Sequence, residues 1–159
     1  MSFDPTPYLA NIDGIDDASL LSDWQWLLED QPVTVFRATA MGDLILRDAS
    51  GGFHFLDMVD GKLSPLAESE EALWQLLAQS DARKQYLFTF VVRGLKSAGK
   101  TLSPGECYSP DHPLILGGDL DDDNLQPCDI CVHASIQGQI HEQIKDLPPG
   151  TKISDIQLG

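Results

Sequence analysis

Between Val33 and Leu66 the chain alternates short apolar segments with turn residues every few positions. Val33–Thr39 is rich in β-branched residues, residues 43–48 read DLILRD, and residues 53–58 read FHFLDM. Ser50-Gly51-Gly52 separates the last two segments, and Asp60-Gly61 leads into residues 62–66. Glycine and aspartate at such points supply tight-turn conformations, which is hairpin chemistry. Strands so close in sequence pair with their neighbours, so this stretch predicts an antiparallel meander with one face buried.

Helical periodicity brackets the meander. Leu20, Leu21, Trp24, Leu27 and Leu28 fall on one face of a helix predicted over residues 18–29, capped by Asp16 or Asp17 and stopped before Pro32. Ahead of it, residues 3–14 read as an extended arm. Ser69 caps a helix beginning SEEALWQLLAQ, with Glu70 and Glu71 at its positive end. A second helix starts at Ser80 or Asp81, carries Leu87, Phe88, Val91, Val92 and Leu95 on one face, and runs to about Ser97, with Gly99 placed to end it. Residues 101–113 read as loop. A short strand is expected near residues 129–133, then a helix over about 135–147 with Ile136, Ile140, Ile144 and Leu147 as its apolar stripe, stopped by Pro148-Pro149-Gly150. The expected fold is α+β, a strand meander packed with several helices and closed by a C-terminal helix. Residues 1–40 supply an arm, a helix and the first strand, residues 41–155 the main α+β unit, and 1–159 one continuous domain.

Charge narrows the partners. With 25 acidic and 10 basic residues the net charge is -15. Such a surface repels nucleic acid and anionic membranes and speeds encounter with a basic protein. No basic and apolar leader stands at the N-terminus, and no apolar run reaches the roughly 18 residues that span a bilayer. The three cysteines, Cys107, Cys128 and Cys131, cannot all pair within one chain. A cytoplasmic protein with reduced thiols is expected; the oligomeric state is not fixed by sequence.

Four motifs invite chemistry. Cys128-x-x-Cys131 with His133 suggests zinc or a small enzyme, but structural zinc wants four N/S ligands in two short-spaced pairs, and only one tight pair is present. With the CxxC placed before a strand, redox chemistry is disfavoured, because a reactive CxxC opens a helix. Residues 119–124 resemble the start of an EF-hand loop, yet position six is Asn124 where Gly is needed and position twelve is Ile130 where Glu is needed. Residues 94–101 fit GxxxxGK[ST] letter for letter but trail a helix instead of opening one after a strand. Cys107 near His112 has no visible orienting third residue, and no serine or cysteine sits in a GxSxG elbow. No catalytic, cofactor or metal residues are assigned.

The last third carries a more specific signal. Leu116-Gly117-Gly118, Asn124-Leu125, His133, Gly138-Gln139-Ile140-His141 and the run Lys145-Asp146-Leu147-Pro148-Pro149-Gly150-Thr151-Lys152 resemble the C-terminal domain of bacterial immunity proteins that neutralise type VI secretion DNase effectors. Residues 42–47 and 53–57 resemble its strand hairpin, and Gly105-Glu106-Cys107-Tyr108 a further short element, so the likeness runs from about residue 41 to 153. Better-known members carry an additional N-terminal domain of the GAD-like type, where this chain has only a short stretch. The resemblance implies an inhibitor that binds a cognate basic toxin, of nuclease type, and performs no catalysis. Asp57, Asp60, Asp119, Asp121, Asp122 and Asp123 are the expected phosphate-mimicking contacts, with Trp26, off the apolar stripe of its helix, as an exposed anchor.

Overall fold

A computed structural model of the chain describes residues 3–148; the expected stop at Pro149 and Gly150 lies outside them. Five strands form one antiparallel sheet in sequence order: β1 (Leu9–Ala10), β2 (Val33–Thr39), β3 (Leu44–Asp48), β4 (Phe53–Asp57) and β5 (Lys62–Ala67). The meander is as expected, and the presumed arm contributes its short first strand, pairing Leu9 with Thr39. In the β3–β4 hairpin Ile45 faces Phe55 and Leu44 faces Leu56. Asp48 sets the turn: its carboxylate accepts from the Ser50 and Gly52 amides and the Ser50 hydroxyl, and its other oxygen lies 2.8 Å from His54 Nε2.

One face buried was too few. Leu44, Ile45 and Leu46 are all fully buried, and consecutive strand residues point to opposite faces, so the sheet is covered on both sides. On one side Ile45, Phe53 and Phe55 pack with Leu73 and Leu77 of α3 (Glu70–Leu77), Leu87, and Val92 and Leu95 of α5 (Thr89–Ser97). On the other, Leu44, Leu46 and Leu56 pack with Leu20 and Leu21 of α1 (Asp17–Leu21), Trp24, Leu28 of α2 (Gln25–Leu28), and Ile130 and Ala134 of α6 (Ile130–Ile144). The expected single N-terminal helix is therefore two short helices joined by a 3-10 turn at Ser22–Trp24, started by Asp16, which accepts from the Ser19 amide.

Two further departures matter for the site. The helix expected from residue 80 to 97 breaks: α4 (Ser80–Ala82) runs into a π-turn at Arg83–Leu87, Phe88 takes the left-handed conformation at φ 48°, and α5 restarts at Thr89. A bulky residue rarely adopts that conformation; here the break lets Leu87 and Val92 both reach the core. The expected 101–113 loop contains β6 (Glu106–Pro110), and the expected 129–133 strand lies earlier, as β7 (Leu125–Asp129) paired antiparallel with β6. Helix α6 then starts at Ile130, its first amides at Cys131 and Val132 bonded to the Asp129 carboxylate.

Candidate functional site

Helix α6 turns an unusual face to the protein. Ile144 is only half-buried and Leu147 is exposed, whereas His133, Gln137 and His141, one turn apart from each other, are buried together with Ala134 and Gly138. Of the apolar stripe expected at Ile136–Ile140–Ile144–Leu147, Ile140 is buried, but the seam is centred on the polar stripe beside it. Glycines opposite α6 explain how a polar stripe packs so closely. A Cβ on Gly42 would stand 2.4 Å from His133 Nε2, and one on Gly61 2.5 Å from His141 Nδ1. A Cβ on Gly138 would stand 2.5 Å from the Asp23 carbonyl oxygen. Two indoles complete the contact: Trp24 Nε1 donates to the Ala134 carbonyl at 2.9 Å and Trp26 Nε1 to the Gly138 carbonyl at 3.2 Å.

Gly138→Ala is accordingly expected to destabilise the fold by about 1–3 kcal/mol, because overpacking against fixed backbone outweighs the helix propensity gained. Urea unfolding of the purified variant measures it, and a variant as stable as the parent would contradict the close seat of α6.

Both histidines are neutral. His141 Nε2 donates to the Met58 carbonyl at 2.9 Å, and burial lowers its pKa. His133 Nδ1 lies 2.7 Å from Ser109 Oγ, Nε2 has no hydrogen-bond partner among the described residues, and burial pushes the pKa down to about 4. Asp43, next to Gly42, is also buried. Its Oδ1 accepts from the Met58 amide at 2.8 Å and its Oδ2 has no hydrogen-bond partner among the described residues. Burial first, then the carboxylates of Asp57 and Asp60, raise its pKa well above the ordinary value, disfavouring the charged form.

The motif residues separate when folded. Cys131 and His133 lie two positions apart on a helix, not a strand, and so diverge. His133 turns to Ser109 and Gly42. Cys131 packs beside the cluster of Leu20 and Trp24. Cys128 faces Cys107 across β6–β7. The CxxC runs from the end of β7 into the first turn of α6, correcting the expectation that it precedes a strand, and burial first and Asp129 second raise the pKa of both Cys128 and Cys131, and burial that of Cys107. These are not activated thiols. Among the described residues no three His, Cys, Asp or Glu side chains converge as a metal site. In the GxxxxGK[ST] string, Gly94 to Ser97 close α5, and Lys100 Nζ donates to the carbonyls of Asp122 and Leu125.

The signature loop is built around one side chain. Asn124 accepts from the His112 amide and donates to the carbonyls of His112 and Asp119. Gly117 takes φ 103°, and a Cβ on Gly118 would fall 1.9 Å from the His112 carbonyl oxygen. The backbone is tied inward and Asp119, Asp121, Asp122 and Asp123 are exposed. Asp57 is half-buried and caps its own turn by accepting from the Val59 and Asp60 amides, while Asp60 is exposed. Between the two segments Met58 and Val59 line a small, largely apolar cleft with Leu114 and Leu120, over His133 and Gln137. Trp26 is half-buried, stacked on Trp24 at 5.8 Å with Lys145 Nζ 5.4 Å from its ring centre, so less of it is exposed than its place off the stripe suggests.

These residues define an α+β domain whose His133, His141 and Cys107 are packed inside and whose acidic loop at Asp119–Asp123 is exposed. Residues 67–141 match the family described as T6SS immunity protein Tdi1, C-terminal, which bears out the resemblance to type VI secretion immunity proteins. The match runs from the last residue of β5 through most of α6, so residues 42–57 and the run at 145–152 lie outside it. No curated protein matches the chain. Among solved structures it is similar to Atu4351 from Agrobacterium tumefaciens, at 17% identity and a TM-score of 0.55, covering 77% of this chain and 64% of that one. That likeness concerns the fold, and this chain spans less than two thirds of its length. No helix among the described residues is long and apolar enough to cross a membrane.

Proposed function

We propose that this chain is a cytoplasmic immunity protein that neutralises a cognate nuclease-type toxin by binding it directly, without catalysis. The observation that carries the reading is the family match over residues 67–141, a segment that includes the exposed Asp119, Asp121, Asp122 and Asp123. A nuclease cleft is basic because it holds phosphates. Exposed carboxylates on a loop tied by Asn124 offer such a cleft the negative charge of its substrate, and Asp57 and Asp60 add to that charge. The net charge of -15 adds long-range attraction, which raises the association rate more than the final affinity.

Co-expression with the toxin encoded beside this gene tests the reading. The chain is expected to protect the cell and to co-elute with an inactivated form of the toxin. Changing Asp119, Asp121, Asp122 and Asp123 together to Asn is expected to slow association by about tenfold or more and to flatten its salt dependence. Equal killing with and without the chain, and no complex on the column, would sink the idea for this pair.

A further inference from the structure

The helix next to the acidic loop carries a feature that folding does not require. Phe90, in the first turn of α5, is 83% exposed, the most solvent-open of the large apolar side chains described. One turn on, on the same face, stands Gly94. A glycine inside a helix weakens it, and an internal reason would be a close neighbour or a positive φ. Gly94 has neither: a Cβ there would meet nothing nearer than Asp122 Oδ1 at 3.9 Å, ordinary contact. The surface therefore holds an aromatic knob followed by a flat notch, and the notch abuts the acidic loop.

Charge says what fits there. The cations closest to this face are already engaged with the chain's own oxygens. Lys100 donates to the Asp122 and Leu125 carbonyls, Lys96 to the Pro7 carbonyl, and Arg93 to the Tyr8 hydroxyl. Asp121, Asp122 and Asp123 form no ion pair with any Lys or Arg among the described residues. A ring beside uncompensated carboxylates suits a protein surface that offers an apolar pocket flanked by Lys or Arg. Aromatic residues buried at the centre of an interface, ringed by polar contacts, carry much of the binding energy in such pairs.

We infer that the Phe90–Gly94 face of α5, together with the adjoining Asp121–Asp123 segment, is a docking surface for a basic protein, with Phe90 seated in an apolar pocket of that partner. The inference rests on the proposed immunity function and takes the cognate toxin as the partner. The carboxylates steer the encounter and the ring holds the complex, so the two contributions separate in kinetics.

Binding of the inactivated toxin encoded beside this gene, followed by surface plasmon resonance, tests it. Phe90→Ala is expected to weaken binding at least tenfold, mostly through faster dissociation, with thermal unfolding unchanged because the ring is exposed. Gly94→Gln fills the notch. It is expected to raise the unfolding midpoint by about 2–4 °C through helix propensity and yet to weaken binding comparably. Tight binding by the parent with both variants indistinguishable from it overturns this docking face and leaves the immunity reading standing. No binding by the parent overturns both.

Discussion

Replacing Trp24 with alanine is expected to cost about 3–5 kcal/mol of folding stability, the range for truncating a fully buried large aromatic. Trp24 is 0% exposed, within the cluster formed by Leu20, Leu28, Leu44, Leu46 and Ala134. It also makes two directional contacts with α6: its indole N–H reaches the Ala134 carbonyl, and its ring lies 5.8 Å from that of His141. Truncation therefore opens a cavity on the side of the sheet where the short helices α1 and α2 meet α6. Neither short helix is long enough to persist alone, so the loss falls on the docking of the whole N-terminal segment. Trp24→Phe separates the two contributions. It keeps most of the volume and removes the N–H, and it is expected to cost about 1–2 kcal/mol. Urea unfolding followed by circular dichroism reads both. A loss under about 1 kcal/mol in Trp24→Ala would mean that α6 is held by something other than this indole.

The sheet was legible in the sequence because its signals are local. Gly51 and Gly61 sit at tight turns with positive φ, and β2 starts and ends where its β-branched run does. The cap of α3 was legible for the same reason: Ser69 accepts from the Ala72 amide. Long-range packing was not. Residues 87–95 have a helical stripe, yet the core accepts it only with a left-handed break at Phe88. Glu106–Pro110 contains a proline and follows a glycine, so it read as loop, although pairing with β7 makes it a strand. β7 lies earlier than the expected strand and tolerates a proline: Pro127 faces Tyr108, whose amide instead donates to Ala40. The buried face of α6 was hidden because His133, Gln137 and His141 are polar. The signal that was there to use was the spacing of four between them and the small Ala134 and Gly138 alongside. Likewise the ligand-like wording of the last third proved to be scaffold chemistry: His133 and His141 fill spaces left by Gly42 and Gly61, and Asn124 ties a loop.

That scaffold chemistry makes stability depend on pH in a way that two substitutions bring into view. His133 has a folded pKa of about 4 against 6.5 when unfolded. The unfolded chain therefore binds the extra proton, and the stability conferred by a neutral His133 is complete above pH 6.5 and lost as pH falls toward 4. Over that window the loss amounts to about 3 kcal/mol, at 1.36 kcal/mol per pH unit. Asp43 acts in the opposite sense. Its folded pKa is raised well above 3.8, so its contribution is complete below pH 3.8 and is lost as pH rises through the folded value. Above pH 4 and below the folded value of Asp43, unfolding takes up a proton at His133 and releases one at Asp43, and the two slopes oppose each other. The parent is therefore expected to show a shallow dependence there, tilted toward acid sensitivity by His141, whose pKa is also lowered. Asp43→Asn keeps an oxygen to accept from the Met58 amide and removes the opposing slope. It is expected to lose more stability than the parent between pH 6.5 and 4. His133→Asn removes the other slope, and its stability is expected to fall as pH rises from 4. Chemical unfolding at half-unit pH steps measures all three proteins, and parallel curves for the parent and Asp43→Asn would show that Asp43 is not held as a neutral acid.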